Sequence, residues 1–596
     1  MGLLHAIGRE YTYISSVGRS LFRLRHTRPD SLRTISDIVE EFGRSRPDNI
    51  AVLYQDDVYT YAQLNAAANR YAHWAMARGI HKGDVVVLLM ENRPEYLMAW
   101  LGIVKLGGVA ALINTNLRGQ PLAHSIAIAG ARHAIVGSEL ADAWRDAAAL
   151  MENKPVAWAT GASSAGMEDL DAALAQASSG PLDTAVRDGL VCKDNAFYIY
   201  TSGTTGLPKA ANFSHMRMLY MMYGFAGALD AGEHDRMYDT LPMYHSTGGV
   251  CAPGVALTAG GSLVIRRRFS VHGFWDDIHR YRPTFFQYIG ELCRYLLNAP
   301  PAPHERDHTI RVITGNGLRP EIWEAFQTRF AIPKIIEFYG ATEGNVSMLN
   351  YDGKPGAVGR VPNYMRGIMQ TRIVEFDVER EMPVRGEDGF CIESAEGETG
   401  EAIGRIRNEA GANFEGYTRK ADTQKKLLAD VFEKGDLWFR TGDLMRRDAD
   451  GYFYFVDRIG DTFRWKGENV ATSEVAEALG VVPGIAEANV YGVHVPGHDG
   501  RAGMAALVVS SLFDPALLGE RLKGSLPAYA RPVFLRLQPA MEITGTFKQR
   551  KVELVKEGFD PAAITDPLYW YDNASGRYQR LDAQAHADIV AGRLKL

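Results

Sequence analysis

Apolar and polar positions in the first third of the chain alternate between two periods. Thr60-Tyr61-Ala62-Gln63 has the form of a capping box, and Leu64, Ala67, Ala68, Tyr71 and Ala75 then fall on one helical face. Gly79 and Lys82-Gly83-Asp84 interrupt that pattern. Residues 85–90 follow as an unbroken apolar run, which predicts a strand buried on both faces. Pro94 opens the next helix, which stops at Gly107-Gly108 before a second apolar run over 109–113. Another helix and strand lead to Ala134-Ile135-Val136. This β-α-β rhythm predicts a parallel, doubly wound sheet, and so an α/β protein. Residues 160–183, rich in Ala, Ser and Gly, read as a surface segment outside the rhythm.

Composition narrows the function classes. A chain of 596 residues is long enough for two or more domains. Its net charge of −6 gives no global basic field to recruit nucleic acid, so an anionic ligand has to be met by local clusters. The four cysteines (Cys192, Cys251, Cys293 and Cys391) form no CxxC pair and read as core thiols of a cytoplasmic protein. The longest uncharged stretch, 246–265, is broken by five glycines and Pro253, unlike a membrane span. The N-terminus has neither a signal-peptide core nor a myristoylation signal. Residues 1–30 place Arg9, Arg19, Arg23, Arg25 and Arg28 among Leu3, Leu4, Ile7, Ile14, Leu21 and Phe22. That pattern fits either an interfacial helix on a membrane or a helix docked on the protein's own surface.

Candidate chemistry begins at Tyr200-Thr201-Ser202-Gly203-Thr204-Thr205-Gly206-Leu207-Pro208-Lys209. An apolar run, Ala196-Phe197-Tyr198-Ile199, leads into it, so a buried strand opens into a tight loop of hydroxyls and backbone N–H groups. The glycines allow close approach and Lys209 adds a charge; a phosphate loop is the better reading than a Ser/Gly linker. The spacing is not that of a Walker A loop. Further on, Pro242-Met243-Tyr244-His245-Ser246-Thr247-Gly248 sets a histidine between an aromatic and a glycine turn. Gly315-Asn316-Gly317 lacks the third glycine of a dinucleotide fingerprint. Tyr339-Gly340-Ala341-Thr342-Glu343 supplies, in succession, a stacking ring, close approach, a hydroxyl and a carboxylate. Thr441-Gly442-Asp443 sets a carboxylate on a tight turn, suited to two ribose hydroxyls. Residues 360–455 read as a small β-rich subdomain around Gly397-Glu398-Thr399-Gly400-Glu401 and Phe414-Glu415-Gly416-Tyr417.

The 200–209 loop resembles the signature loop of the adenylate-forming superfamily, which includes acyl-CoA synthetases, luciferases and peptide-synthetase adenylation domains. The resemblance spans roughly 50 to 590 and implies a site on each motif. Thr201, Ser202, Gly203, Thr204, Thr205, Gly206 and Lys209 would hold ATP phosphates, Gly315, Asn316, Gly317, Tyr339 and Gly340 the adenine, and Asp443 the ribose. Arg458 and Gly467 complete the nucleotide and coenzyme A contacts. Thr342 is assigned to the α-phosphate, Glu343 to Mg²⁺ and His245 to the acyl carboxylate, with the uncharged 246–265 stretch beside the acyl site. The catalytic lysine is Lys548 by this alignment; Phe547 replaces the glycine that usually precedes it, and Lys551 is the alternative. Family members turn a small C-terminal domain about a hinge two residues after Arg458, where Asp or Lys is usual and this chain has Gly460.

Glu337-Phe338-Tyr339-Gly340-Ala341-Thr342-Glu343-Gly344-Asn345-Val346, Phe463-Arg464-Trp465-Lys466-Gly467-Glu468-Asn469-Val470, Thr544-Gly545-Thr546-Phe547-Lys548 and Asp566-Pro567-Leu568-Tyr569-Trp570 are similar to the fatty acid transport protein branch. The resemblance implies a long- or very-long-chain fatty acyl-CoA synthetase using ATP, Mg²⁺ and coenzyme A. It also implies an N-terminal adenylation domain over 1–457, a hinge at 458–461 and a mobile α+β C-terminal domain over 462–596. Its expected location is cytoplasmic, with peripheral contact at the inner face of a membrane. The rivals are an acyl-AMP ligase that loads a carrier protein and a lipid-uptake protein in which catalysis is secondary.

Overall fold

The computed structural model describes every residue except Met1, Ser163, 203–206, 408–413, Asp499 and 543–548. Two compact units result. One takes Met1–Leu318, Ile322–Arg360 and Arg405–Leu427; the other takes Arg319–Glu321, Val361–Gly404 and Leu428–Leu596.

The larger unit holds two sheets. One has seven strands, in spatial order Glu168–Asp169, Val156–Thr160, His133–Gly137, Val85–Leu89, Val109–Leu112, Asn195–Ser202 and Pro208–Ser214. All neighbours in it are parallel except the last pair, an antiparallel hairpin. The other has eight strands, and its parallel centre (Ile335–Gly340, Val312–Asn316, Phe285–Ile289, Arg236–Asp239, Ser262–Ile265, Ile50–Tyr54) carries an antiparallel strand at each edge. The expected rhythm is present. Thr60 caps the Tyr61–Ala77 helix through a complete capping box, and Leu64, Ala68, Tyr71 and Ala75 are buried. Pro94 is the first residue of Pro94–Lys105, and Gly107 takes φ +81°, a backbone that only glycine adopts cheaply.

Two expectations change. Residues 160–183 contain an edge strand and the Leu170–Gln176 helix, and the Ser179 carbonyl accepts from buried Asn69 at 2.9 Å. Small residues hid this helix, because alanine gives little hydrophobic contrast. The β-rich stretch divides as well. Strands Thr371–Val374, Gly400–Arg405, Leu437–Arg447 and Tyr452–Arg458 form one sheet, whereas 405–427 belong to the larger unit. There Thr418 N donates to Ala210 O at 3.0 Å and Asn212 N to Gly416 O at 3.0 Å, so this segment runs along the outer edge of Pro208–Ser214.

In the second unit a five-stranded mixed sheet is built from Ile485–Val493, Ala502–Val509, Phe534–Leu537, Leu568–Asp572 and Arg577–Arg580. It packs with helices Thr472–Gly480 and Pro515–Lys523 around Leu479, Leu507, Leu518, Leu522 and Phe534, giving the α+β character expected of the C-terminal region.

Helix Gly2–Leu24 takes the docked alternative along one face. That face docks on helix His215–Ala228: Arg19 Nε donates to Gly227 O at 3.0 Å, Ser20 Oγ to Gly224 O at 3.1 Å, and Tyr13 is buried edge-on against Tyr351. The other face is bare. Leu4, Ile7, Tyr11, Ile14, Leu21 and Phe22 are between 56% and 80% exposed.

Candidate active site

The phosphate-loop motif begins and ends on the paired strands that close the seven-stranded sheet. Thr201 stands opposite Lys209 and Ser202 opposite Pro208. Because Asn195–Ser202 runs parallel to Val109–Leu112, Thr201 and Ser202 stand at the carboxyl end of the parallel strands, where ligands bind in open α/β sheets. Gly203, Thr204, Thr205 and Gly206 lie outside the described residues. At this end of the hairpin, Lys209 Nζ pairs with Asp422 at 2.8 Å and lies 5.7 Å from the centre of the Tyr417 ring. His124, Leu207, Lys209, Tyr417, Arg419 and Asp422 line a cavity of about 160 Å³ there.

Tyr417 joins this hairpin to the Thr342-Glu343 turn. Its backbone bridges to Ala211 and its hydroxyl donates to Glu343 Oε1 at 2.8 Å. Burial and the Glu343 carboxylate push the phenol pKa well up, so Tyr417 stays a neutral donor across physiological pH. Arg217, half-buried, gives one guanidinium nitrogen to Ala341 O (2.9 Å) and Gly344 O, clamping both ends of the turn that carries Thr342 and Glu343. Burial lowers the Arg217 pKa, and Glu415 and Glu343 oppose that shift. Glu415 in turn accepts from Ser214 N at 2.8 Å. Tyr417, Arg217 and Asp422 touch Glu343, the turn ends Ala341 and Gly344, and Lys209, respectively, and the sequence did not single them out.

Thr342 reaches the histidine segment, with its Oγ1 3.4 Å from Ser246 Oγ. His245 ends the tight turn 242–245 and its ring lies 4.5 Å from that of Tyr244, whose hydroxyl accepts from Asn116 at 2.9 Å. A π-helical turn, Thr247–Cys251, follows, a form that concentrates at functional sites. Gly248 and Gly249 are required there: a Cβ would sit 2.7 Å from Leu241 O and 2.0 Å from Met243 O, respectively. The apolar residues beyond, Ala252–Ala259, are packed into the main core. Gly315, Asn316 and Gly317 end Val312–Asn316 beside Ile335–Gly340, the strand that carries half-buried Tyr339 and exposed Gly340. The larger unit therefore brings together the hairpin, His245, Gly315-Asn316-Gly317, Thr342 and Glu343. Beside the Glu343 carboxylate stands the Tyr417 hydroxyl, an oxygen set that suits Mg²⁺, an ion that takes few protein ligands and keeps water and phosphate oxygens.

The second unit holds the remaining motifs. Gly442 takes φ +80° and its N–H donates to Glu401 Oε1 at 3.2 Å; Thr441 Oγ1 donates to Ala402 O at 2.7 Å. Glu401, fully buried, is gripped by Arg440 at 2.8–3.1 Å. These bonds fix Asp443, which pairs across the ladder with Arg458. The expected hinge is anchored from both sides by buried Asp457, which accepts from Arg458 N (2.9 Å), Thr462 Oγ1 (3.1 Å) and Thr472 N (2.5 Å). Burial raises the Asp457 pKa, and Lys551 counters it. Lys551 Nζ bonds Asp461 at 3.0 Å and Thr472 Oγ1 at 2.8 Å. Gly460 has no positive φ and no atom within 4 Å of where a Cβ would stand. Gly467, at φ +82° after Lys466 at +52°, makes the two-residue turn between Phe463–Trp465 and Glu468–Val470. Lys548 lies outside the described residues.

The profile of the AMP-binding enzymes matches residues 39–400, and that of the AMP-binding enzyme C-terminal domain matches 474–548. The chain is similar to long-chain fatty acid transport protein 2 of Rattus norvegicus, with 40% identity over 99% of this chain and 95% of that protein. It is similar also to long-chain fatty acid transport protein 6 of Mus musculus, with 41% identity over 95% and 92%. Among solved structures, ATP-bound MatB from Rhodopseudomonas palustris is 25% identical, covers 88% of this chain and 99% of its own, and has a TM-score of 0.73. An anthranilate CoA ligase in complex with anthranoyl-AMP shares the fold at a TM-score of 0.75 and 21% identity, over 89% of this chain and 97% of its own. With a clamped Thr-Glu turn beside the paired strands Asn195–Ser202 and Pro208–Ser214 and a C-terminal α+β unit, and with these matches along nearly its whole length, the chain belongs to the AMP-binding, adenylate-forming enzymes, in the branch of the long-chain fatty acid transport proteins.

Proposed function

We propose that the protein is an ATP-dependent, AMP-forming long-chain fatty acid–CoA ligase. The observation that carries the proposal is Tyr417, whose backbone bridges to Ala211 of the hairpin and whose hydroxyl donates to Glu343 Oε1 at 2.8 Å, so that one residue ties the phosphate hairpin to the Thr342-Glu343 turn within one unit. In the first half-reaction a fatty carboxylate oxygen attacks the α-phosphorus of ATP, and the bond to pyrophosphate breaks. Glu343 would hold Mg²⁺, which neutralises charge on the phosphates, and Thr342 would meet the α-phosphate. The hairpin hydroxyls and amides position the phosphates, His245 meets the carboxylate, and Asp443 meets the ribose. In the second half-reaction the CoA thiolate attacks the acyl carbonyl and AMP leaves. Pyrophosphate release with palmitate, assayed with and without CoA, tests this. Palmitate-dependent release together with palmitoyl-CoA is expected. Release without thioester would favour a carrier-loading ligase, and no release would favour uptake without catalysis.

The two half-reactions are proposed to need different orientations of residues 462–596, reached by a turn at Gly460. Proline there fixes φ near −65° and holds one orientation. The Gly460→Pro protein is expected to release pyrophosphate but make little acyl-CoA, as single-turnover timing of each step would read. Equal slowing of both steps would move the pivot elsewhere in 458–462.

Membrane contact is proposed to be peripheral, at the inner face where ATP and CoA are found, and to run through helix Gly2–Leu24. No helix among the described residues is long and apolar enough to cross a membrane. The bare stripe of Leu4, Ile7, Tyr11, Ile14, Leu21 and Phe22 ends at exposed Arg25, whose guanidinium lies 3.9 Å from the centre of the Phe22 ring. An apolar stripe bordered by arginine suits an anionic bilayer surface, where each such charge adds about 1 kcal/mol. Flotation with phosphatidylserine-containing vesicles is expected, with loss of binding in the Ile14→Glu, Phe22→Glu double variant. Unchanged flotation of that variant would refute the assignment.

A further inference from the structure

Strand Ile335–Gly340 presents Glu337 and Tyr339 on one face, two residues apart, while Phe338 points the other way and meets Phe225 edge-on at 4.7 Å. Glu337 stands opposite Gly315 in the ladder. Its carboxyl is 2% exposed, yet its partners are a phenol and a backbone amide. Oε1 accepts from Leu318 N at 3.1 Å, and the Tyr288 hydroxyl meets Oε2. Tyr288 is fully buried. Gly315 and Asn316 are held in the ladder beside Tyr288 and Ile289, Gly317 sits at φ +81°, a Cβ on Gly290 would lie 1.7 Å from Gly317 O, and one on Gly315 would lie 2.3 Å from Tyr288 O. Backbone therefore packs on backbone, and the Glu337 carboxyl fastens the end of the turn at Leu318.

A carboxyl placed here is costly. Burial pushes its pKa up to about 8 against the pull of its hydrogen bonds, and an apolar side chain would fill the space without that cost. What the acid supplies is an acceptor for the buried Leu318 N–H and a partner for the buried Tyr288 hydroxyl.

We infer that Glu337, backed by Tyr288, is a positioning residue for nucleotide binding: it joins the Gly315–Leu318 turn to the strand that carries Tyr339 and so sets the two walls of the base cleft before ATP arrives. The inference rests on the nucleotide reading given above. A preorganised cleft contributes to binding rather than to the chemical step, so its loss appears in the KM for ATP.

The test compares full-length wild type, Glu337→Ala, Glu337→Gln and Tyr288→Phe, using ATP titration calorimetry and steady-state kinetics in each substrate. For Glu337→Ala the KM and Kd for ATP are expected to rise roughly tenfold, the equivalent of one buried hydrogen bond. The kcat is expected to stay within about twofold, and the KM values for fatty acid and CoA to hold. Glu337→Gln should bind ATP nearly as wild type, since its amide offers an oxygen to the turn and an N–H to the tyrosine oxygen. Tyr288→Phe should show a smaller rise in the KM for ATP alone. An unchanged KM for ATP in Glu337→Ala, or parallel losses for all three substrates, would overturn the inference. If Glu337→Ala does not fold by circular dichroism, Tyr288→Phe decides by the same criterion. A wild-type chain that binds no ATP would overturn the nucleotide reading itself, and this inference with it.

Discussion

Glu343→Ala is expected to abolish acyl-AMP formation while the protein remains folded. Its carboxylate is the charged end of the Tyr-Gly-Ala-Thr-Glu turn, and Arg217 holds that turn by its carbonyls rather than through Glu343. Losing the group that would hold Mg²⁺ removes charge stabilisation at the phosphates, worth about 10²–10³ in rate or more. The alanine also leaves the Tyr417 hydroxyl without its 2.8 Å acceptor, which costs about 1–3 kcal/mol for a buried donor. Glu343→Gln separates the two effects. It keeps an oxygen for Tyr417 but lacks the charge, so its melting temperature should match wild type while adenylation stays lost. Mg²⁺-dependent pyrophosphate release at the wild-type rate in either variant would remove Glu343 from the metal site.

That turn also marks the limit of what the sequence made legible. Contiguous features were readable. The capping box at Thr60, the apolar strands from Val85 and Val109, and the strand entering the phosphate loop are set by neighbours within a few residues, and the structure has each of them. The partners of the site residues were not readable, because they arrive from far along the chain. Tyr417 meets Glu343 across 74 residues, and Arg217 meets Ala341 across 124. Nothing in Phe414-Glu415-Gly416-Tyr417 distinguishes a turn in a β-rich subdomain from a strip laid along the edge of Pro208–Ser214. Only the tertiary register makes that choice. Helix Gly2–Leu24 shows the same limit in another form. Its periodicity announces an amphipathic helix, but it is apolar on two faces, and burial of Tyr13 on one of them leaves the Leu4–Phe22 stripe on the other.

Lys548→Ala is expected to slow acyl-AMP formation by about 10²–10³, the usual loss when one charge-stabilising donor is removed. Conversion of supplied acyl-AMP and CoA to acyl-CoA should continue, because the proposed turn at Gly460 takes this lysine away before the thiol attacks. Lys551, three residues on, is the other candidate, and its surroundings give it different work. Its ammonium bonds Asp461 and Thr472 beside the buried Asp457 carboxyl, so it braces the segment that carries Gly460. The Lys551–Asp461 pair is partly exposed, with side chains 22% and 32% accessible. Such a pair is worth at most about 1 kcal/mol, a factor of roughly five. Lys551→Ala should therefore shift both half-reactions together and by little, whereas Lys548→Ala strikes only the first. Separate single-turnover measurements, with ATP and palmitate and then with palmitoyl-AMP and CoA, distinguish the two. A large loss confined to adenylation in Lys551→Ala, with Lys548→Ala unaffected, would transfer the catalytic role three residues along the chain and leave Asp461 as the group that holds that lysine.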